Sequence, residues 1–522
     1  MPTVTLNRNV FEKVVGKKLP INELKDRISM LGTDLEDVTQ KEIVVEVFPN
    51  RPDMLSEQGF ARAFSSFLGI NTGLSTYSVK RSGLKVIVDK SITMRPFTAC
   101  AIVKNLKLND DCIRELMQIQ EKLATTHGRR RKKSAYGIYP LEKINFPITY
   151  VAKDPQSVEF APLGYGEKMN GLRVEETHHT GKEFSPITDG WKKYPFFIDN
   201  DGAVLSMLPY TNSNDVGKVD TSTTEVFVEC TGTSLENVNV ALKILTTTLA
   251  DMGGDIYAVD VEYPENTITT PNLEPQKMDL DIAYVESVLG LGLNQKQVSE
   301  LLEKMGYGYK NKQVLIPAWR ADILHPIDLI EDIAIAYGYE NVEEEIPHVA
   351  TIGEENPLAR FASQLTDVMV GAGYQEVKNY HLMSLDELQS KMTNKQPAID
   401  LLNAPADYDH LRNSIIPSLL KTLTQNQHRD YPQNLFEIGT VFLNDTDAEY
   451  SIDEKQFLAI TLCDERADFT AIRQIIDTLT QLLELEITVQ EVSHPSMIEG
   501  RSAAAYVGKT KIATFGELSP LV

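Results

Sequence analysis

The sequence predicts an α+β chain of several domains, and three observations predict it. A helix–strand module occurs twice, near the N-terminus and again past the middle. The stretch between the copies alternates strand and helix patterns. The last third sets strand-like runs among a few helices, as an antiparallel sheet does. At 522 residues the chain has room for roughly three or four domains. The segments expected are residues 1–75, 76–265, 270–345 and 350–522. Hydrophobic residues make up 42% of the chain, enough for true cores. No apolar run is long enough to span a membrane. The start, MPTVTLNRNVFEKVVG, lacks the apolar stretch of a signal peptide, so cytoplasmic residence is expected. Cys100, Cys112, Cys230 and Cys463 lie far apart and form no CxxC pair, which argues against a zinc ribbon and a disulfide framework.

The first module runs through LPINELKDRISMLGTDLED, KEIVVEVFPNRPDML and SEQGFARAFSSFLGI. The second runs through LNQKQVSELLEKMGYGYK, NKQVLIPAWRADIL and HPIDLIEDIAIAYGY. Leu24, Ile28 and Leu31 share the spacing of Val298, Leu302 and Met305, one face of a 3.6-residue period. Gly32 and Gly306 sit where a helix stops. A strand follows in each copy, then Arg-x-Asp-x-Leu: Arg51, Asp53 and Leu55 against Arg320, Asp322 and Leu324. A second helix closes each unit at Gly69 or Gly338.

The alignment sorts the acids of the second copy. Asp322 matches Asp53, so the shared fold reuses it, as a cap for the next helix or as a partner of the nearby Arg. Asp328, Glu331 and Asp332 fall opposite Gly59, Arg62 and Ala63, so the fold does not require acids there. On a helix starting near Pro326 these three share a face roughly 100° wide. Two readings stand: a wet first turn that suits the helix dipole, or carboxylates that repel one another unless a cation such as Mg2+ screens them.

The middle segment reads as mixed α/β. GLKVIVD and FTACAIVKNLKL alternate like strands, and DDCIRELMQIQEKLATTHG reads as a helix. Asn200-Asp201-Gly202 marks a hairpin. In TTEVFVECTGTS, alternation puts Glu225, Phe227, Glu229 and Thr231 on one face and Val226, Val228 and Cys230 on the core side. With Ser206 nearby, Glu229 and Thr231 make a small polar pocket or simply an exposed strand face. No Ser-His-Asp or Cys–His arrangement accompanies them. The net charge of −23 repels nucleic acid on average. Against it runs HGRRRKK, where Arg129, Arg130, Arg131, Lys132 and Lys133 form a solvated loop or a phosphate contact.

Past the acidic stretch VEEEIPHVATIGEENP come a helix ending at Gly371 and Gly373, the strand-like YQEVKNYHLM, and the strand-like NLFEIGTVFL. KMTNK, at 391–395, has the look of a class I synthetase lysine loop, but no HIGH tetrapeptide or nucleotide-binding βαβ start accompanies it.

Taken together, EVFPNRPDMLS, AVLSMLPYTNS, FVECTGTS, PAWRADILHPIDLIEDIAIAYGYENV, LRNSIIPSLL and YPQNLFEIGTVF, in that order, resemble the β subunit of phenylalanyl-tRNA synthetase of the archaeal/eukaryotic type. The resemblance covers nearly the whole chain. It implies an α2β2 heterotetramer whose α subunit binds phenylalanine and ATP and charges tRNA(Phe). It implies that 350–522 is a class II synthetase-like antiparallel-sheet domain without catalytic residues. Phe436-Glu437-Ile438-Gly439 agrees, since the arginine that would hold ATP phosphates is missing there. The middle segment resembles the family's editing domain, which hydrolyses tyrosine wrongly attached to phenylalanine tRNA. Such a step is needed because an apolar pocket rejects an added hydroxyl poorly. Carried over residue by residue, Glu229 would accept the tyrosine hydroxyl. Ser206, Thr231 and Asn212 would supply polar positions and Phe197 an apolar wall. For Asp322, Asp328, Glu331 and Asp332 the resemblance implies Mg2+ in a site shared with the α subunit.

The chain departs from the family pattern at Leu208, where a proline is usual, and at Tyr139-Pro140, where His-Asp is usual. A subunit that assembles and places tRNA without editing is therefore the alternative. A free-standing nucleic-acid-binding protein is the third reading. The resemblance also leads one to expect a further strand or helix beyond GELSPLV.

Overall fold

A computed structural model describes residues 2–405 and 407–522. The chain divides into two compact units, 1–346 and 347–522. The fold is mixed α/β with several sheets. Among the described residues no helix is long and apolar enough to cross a membrane.

In the first unit the repeat extends further than the sequence pattern indicates. The first copy begins with strand Thr3–Asn7 and helix Arg8–Val15, then helix Ile21–Met30 and strands Asp34–Val38 and Glu42–Glu46. The second begins with strand Gln276–Asp279 and helix Ile282–Leu289, then helix Gln295–Lys304 and strands Gly308–Lys310 and Gln313–Ile316. In both copies the last of these strands lies at the centre of a three-stranded antiparallel sheet. Equivalent glycines stop equivalent helices in the left-handed conformation: Gly16 and Gly290, then Gly32 and Gly306. The closing helices, Glu57–Phe67 and Pro326–Tyr337, are capped at matching positions by Ser56 and His325.

The two copies pack on each other reciprocally. A Cβ on Gly32 would lie 3.8 Å from Ile335, and one on Gly306 would lie 3.9 Å from Ser66, the position equivalent to Ile335. Ser66 also donates to Glu303 O at 3.0 Å, and Arg27 pairs with Glu340 at 3.0 Å.

Between the copies lies a ten-stranded sheet. Its path runs Thr211–Asn212, Val204–Met207, Tyr194–Ile198, Ile148–Lys153, Val79–Val88, Asp255–Glu262, Phe97–Lys104, Val226–Gly232, Ser134–Pro140, with Thr267–Thr270 also paired to Asp255–Glu262. Val79–Val88 is parallel to both neighbours and the other pairings are antiparallel. Helices Asp110–Thr125 and Leu235–Asp251 bury Ala99, Ala101, Val226, Val228 and Cys230 on one face. The opposite face carries a second core that includes Val86, Tyr139, Tyr150, Phe197, Leu208 and Phe227. The strand Val226–Gly232 is therefore buried along its whole length, and the exposed-face reading of Glu229 and Thr231 is corrected.

Among its described residues the second unit holds three small sheets. Strands Gln433–Asn444 and Ile452–Cys463 pair antiparallel over twelve residues, with Gln375–Glu376 parallel to the first. Leu382–Met383, Ile399–Asp400 and His410–Leu411 form the second sheet. Thr488–Glu491, Met497–Val507 and Thr510–Leu518 form the third. Met369 of helix Pro357–Gly371 packs with Tyr374, Phe436, Ile438 and Leu479 into one core.

Candidate functional site

The pocket residues are assembled by strand register. Phe197 lies opposite Ser206 and Ser206 opposite Asn212, a row across three strands. Glu229 lies between Cys100 and Gly137 on its neighbouring strands, and Thr231 points the same way two residues on. Gly137 brings no side chain to this face, and the ring of Tyr139 fills the space. The Tyr139 hydroxyl lies 3.0 Å from Glu229 Oε1 and 3.2 Å from Asn212 Oδ1, where it donates to one or the other. A Cβ on Gly137 would collide with both that hydroxyl and the Glu229 carboxyl.

Phe197, Ser206, Glu229, Thr231 and Tyr139 all have 0% exposure, while Asn212 is half-buried. Glu229 Oε2 has no hydrogen-bond partner. Burial pushes the Glu229 carboxyl up to about 8, against the Tyr139 hydrogen bond and the nearby Arg95 cation. At neutral pH Glu229 is thus mainly the neutral acid.

Arg95 escaped the sequence reading. It is 1% exposed and donates to Arg131 O and Thr231 O, each at 2.9 Å, so it ties the basic loop to the pocket strand. A lone arginine in the turn TMRPF carries no motif that would have revealed it.

In the basic run, Arg129, Arg130 and Arg131 have φ of +48°, +52° and +63°. This left-handed stretch is held by bonds from their N–H groups to Thr126, Thr125 and Ala124 carbonyls at 2.9–3.0 Å. The Arg131 guanidinium turns inward, donating to Pro209 O at 3.0 Å and Tyr210 O at 2.7 Å over the Phe184 ring. Arg129, Arg130 and Lys132 are exposed, and Lys133 is half-buried.

The acidic helix Pro326–Tyr337 starts with Pro326 at its first position and a capping box. His325 accepts from Ile327 N, and Asp328 Oδ2 accepts from Leu324 N and His325 N at 2.8 Å each. Asp322 and Asp332 meet on one cation. Arg320 is 3% exposed at its side chain and holds Asp322 through two bonds of 2.8 Å and Asp332 through a third of 2.8 Å. The Tyr307 hydroxyl also donates to Asp332. Glu331 is exposed. The first copy repeats the bidentate pair, Arg51 on Asp53 at 2.9 and 2.8 Å. Of the two roles open to Asp322, the structure has the pairing with arginine.

A family model described as the phenylalanyl tRNA synthetase beta chain CLM domain matches residues 342–522, and the tRNA synthetase B5 domain matches 278–339. Phenylalanine–tRNA ligase beta subunits are similar throughout. That of Pyrococcus horikoshii is 37% identical over all of this chain and 96% of its own length. That of Archaeoglobus fulgidus is 38% identical over all of this chain and 95% of its own. The chain belongs to the phenylalanine–tRNA ligase β-subunit family. It is thus a component of a ligase, an aminoacyl-tRNA synthetase. A crystal structure of an N-terminal fragment of the Pyrococcus horikoshii β subunit shares its fold with a TM-score of 0.62 at 38% identity, over 65% of this chain and all of that one.

The Mg2+ that the family resemblance implies does not fit the four acids as this chain arranges them. Two are neutralised by Arg320 and a third closes a capping box. Among the described residues no three of the four bring carboxylate oxygens within 4.8 Å of one another. In the second unit of this β-subunit family member, Glu437 of the strand FEIG is 1% exposed. It is held by Arg412 at 2.7 Å and by Asn379 at 2.8 Å. Arg412 also donates to Thr440 O at 2.9 Å, so this buried arginine is spent on the fold and presents no cation to a phosphate.

Proposed function

We propose that this chain works as the β subunit of a cytoplasmic α2β2 phenylalanine–tRNA ligase. In it the α subunit binds phenylalanine and ATP and forms the ester with tRNA(Phe). The observation that carries this reading is the second unit: its strand residue Glu437 is closed by the buried Arg412, and its helix Pro357–Gly371 leaves Leu358 and Phe361, one turn apart, exposed. A surface of that kind suits a protein partner. With the synthetic site on the α subunit, a Mg2+ near Pro326–Tyr337 would need partner oxygens, with exposed Glu331 the acid open to it. Co-expression tests the assignment. The two chains should co-purify and charge tRNA(Phe) only together; a β chain that stays alone and leaves charging by the α subunit unchanged would refute it.

The central domain is proposed as a pocket for a tyrosyl group carried on tRNA(Phe), with Glu229 meeting the phenol hydroxyl. Supporting this chemistry, Glu229 already holds a phenol, that of Tyr139. The same contact favours, for the conformation described, the second reading of a subunit that places tRNA without hydrolysing it.

For tRNA contact, the exposed Arg129, Arg130 and Lys132 are proposed to meet phosphates, and Arg131 to hold the loop. Replacing those three by alanine should reduce the slope of log K against log salt by about 2, on the scale of roughly 0.7–0.9 per phosphate contact. Filter binding across a salt series measures this; an unchanged slope removes the loop from the interface. Arg131→Ala should instead loosen the loop.

A further inference from the structure

We propose that Tyr139 is the resident occupant of the Glu229 pocket. Its phenol takes the place that the phenol of a tyrosyl group would take, and the side chain at position 139 decides whether the pocket admits an aromatic hydroxyl. The inference rests on the reading of this pocket as one for tyrosyl groups.

Four observations carry it. The Tyr139 hydroxyl makes the contacts a bound phenol would make, 3.0 Å to Glu229 and 3.2 Å to Asn212. The ring has no exposed surface, and neither do Phe197, Ser206, Glu229 and Thr231, so no opening to solvent remains at these residues. The aromatic walls are taken from within: Phe197 stacks on Tyr150 at 4.7 Å and 15°, and Tyr139 lies 5.9 Å from Phe227. Finally, Glu229 Oε2 stays buried without a partner. An orphaned buried polar atom is costly, and one on the carboxyl that already meets a phenol marks a recess with more hydrogen-bonding capacity than its occupant uses. Gly137 is what lets the occupant in, because any side chain there would strike the Tyr139 hydroxyl. A second phenol ring cannot share this space at native packing density.

The test uses the complete α–β enzyme with p-cresol as the phenol probe and toluene as the apolar control. Binding is followed by ligand-observed NMR, and phenylalanine charging serves as the check on folding. With the α subunit's amino-acid site saturated by phenylalanine, wild type should bind neither probe specifically, and Tyr139→Ala should bind p-cresol at least 10-fold more tightly than toluene, a preference lost in Tyr139→Ala/Glu229→Ala. Tyr139→Phe keeps the ring and should still exclude both probes. Release of tyrosine from tyrosyl-tRNA(Phe) is measured in parallel. In that reaction water adds to the acyl carbon, the ester C–O bond breaks, and the ribose oxygen leaves with a proton.

Specific p-cresol binding by wild type, lost with Glu229→Ala, overturns the proposal, whether or not Tyr139→Ala folds. So does a charging-competent Tyr139→Ala that binds no p-cresol. Tyrosine release by wild type that Tyr139→Phe and Tyr139→Ala leave unchanged overturns the occupancy and leaves the hydrolytic reading standing. Binding gained in Tyr139→Ala without faster tyrosine release supports the occupancy and counts against hydrolysis.

Discussion

Arg320→Met is expected to destabilise the second helix–strand module by about 3–5 kcal/mol, the cost of stranding buried charge. The guanidinium is the shared partner of Asp322 and Asp332, whose side chains are 9% and 8% exposed. Burial opposes its charge, yet the two carboxylates and the Tyr307 oxygen hold it well above the ordinary arginine range. Without it, two carboxylates face each other in a poorly solvated site. Hydrogen exchange on the amides of Pro326–Tyr337 reads the effect locally, which suits a chain of two units better than a single melting point. Replacing all three charges, as Arg320→Met/Asp322→Asn/Asp332→Asn, should recover most of the loss, because neutralising a buried pair as a whole often costs little. Exchanging Mg2+ for EDTA should leave the protection of this helix in wild type unchanged. A loss on chelation as large as that in Arg320→Met would mean that a metal, and not Arg320, balances these acids.

That arrangement was half legible. The repeat placed Asp53 and Asp322 at matching points beside an arginine, and pairing with that arginine was one of the two roles open to them. Nothing in the spacing of Asp328, Glu331 and Asp332 distinguishes a helix face that meets water from one that turns Asp332 onto Arg320. Glycines and the Arg-x-Asp signature made the middle of each module visible. The opening strand and helix went unseen because TVTLN–RNVFEKVV and QKMD–IAYVESVL share backbone geometry and Gly16 or Gly290, but little side-chain chemistry. Alternation in FVECTG correctly separated the Glu229 face from the Val228 face. It could not report that both are buried, because a strand covered on two sides needs polar residues only where a polar recess is built. The Tyr139 substitution was visible as a departure from the family pattern. Its consequence depended on register: Gly137 opposite Glu229 and Phe227 opposite Tyr139, which only the paired strands define.

Glu115→Gln is expected to stabilise the first unit increasingly from pH 5 to pH 8. Glu115, on helix Asp110–Thr125, is 3% exposed, and its Oε1 accepts from Gln58 N at 2.9 Å. Glu57 lies beside it, accepting from Asn7 N at 3.1 Å through one oxygen, while the other is buried without a partner. Burial, and then the neighbouring Glu57 charge, push the Glu115 carboxyl from the ordinary 4.5 up to about 8; burial also raises Glu57. The folded chain therefore holds a proton that the unfolded chain releases above about pH 4.5. Stability from this group is complete below that pH and is lost as pH rises toward 8. Glutamine keeps the acceptor for Gln58 N and carries no charge at any of these pH values. At about 1.4 kcal/mol per pH unit, discounted because the two carboxyls titrate together, the variant should gain about 2–3 kcal/mol at pH 7. At pH 5 the two proteins should nearly coincide. Exchange protection across Glu57–Phe67 at pH 5, 6, 7 and 8, corrected for intrinsic rates, measures the divergence. Curves that stay parallel over that range would mean that Glu115 ionises as it would in water, and that the contact between the N-terminal module and helix Asp110–Thr125 is open to solvent.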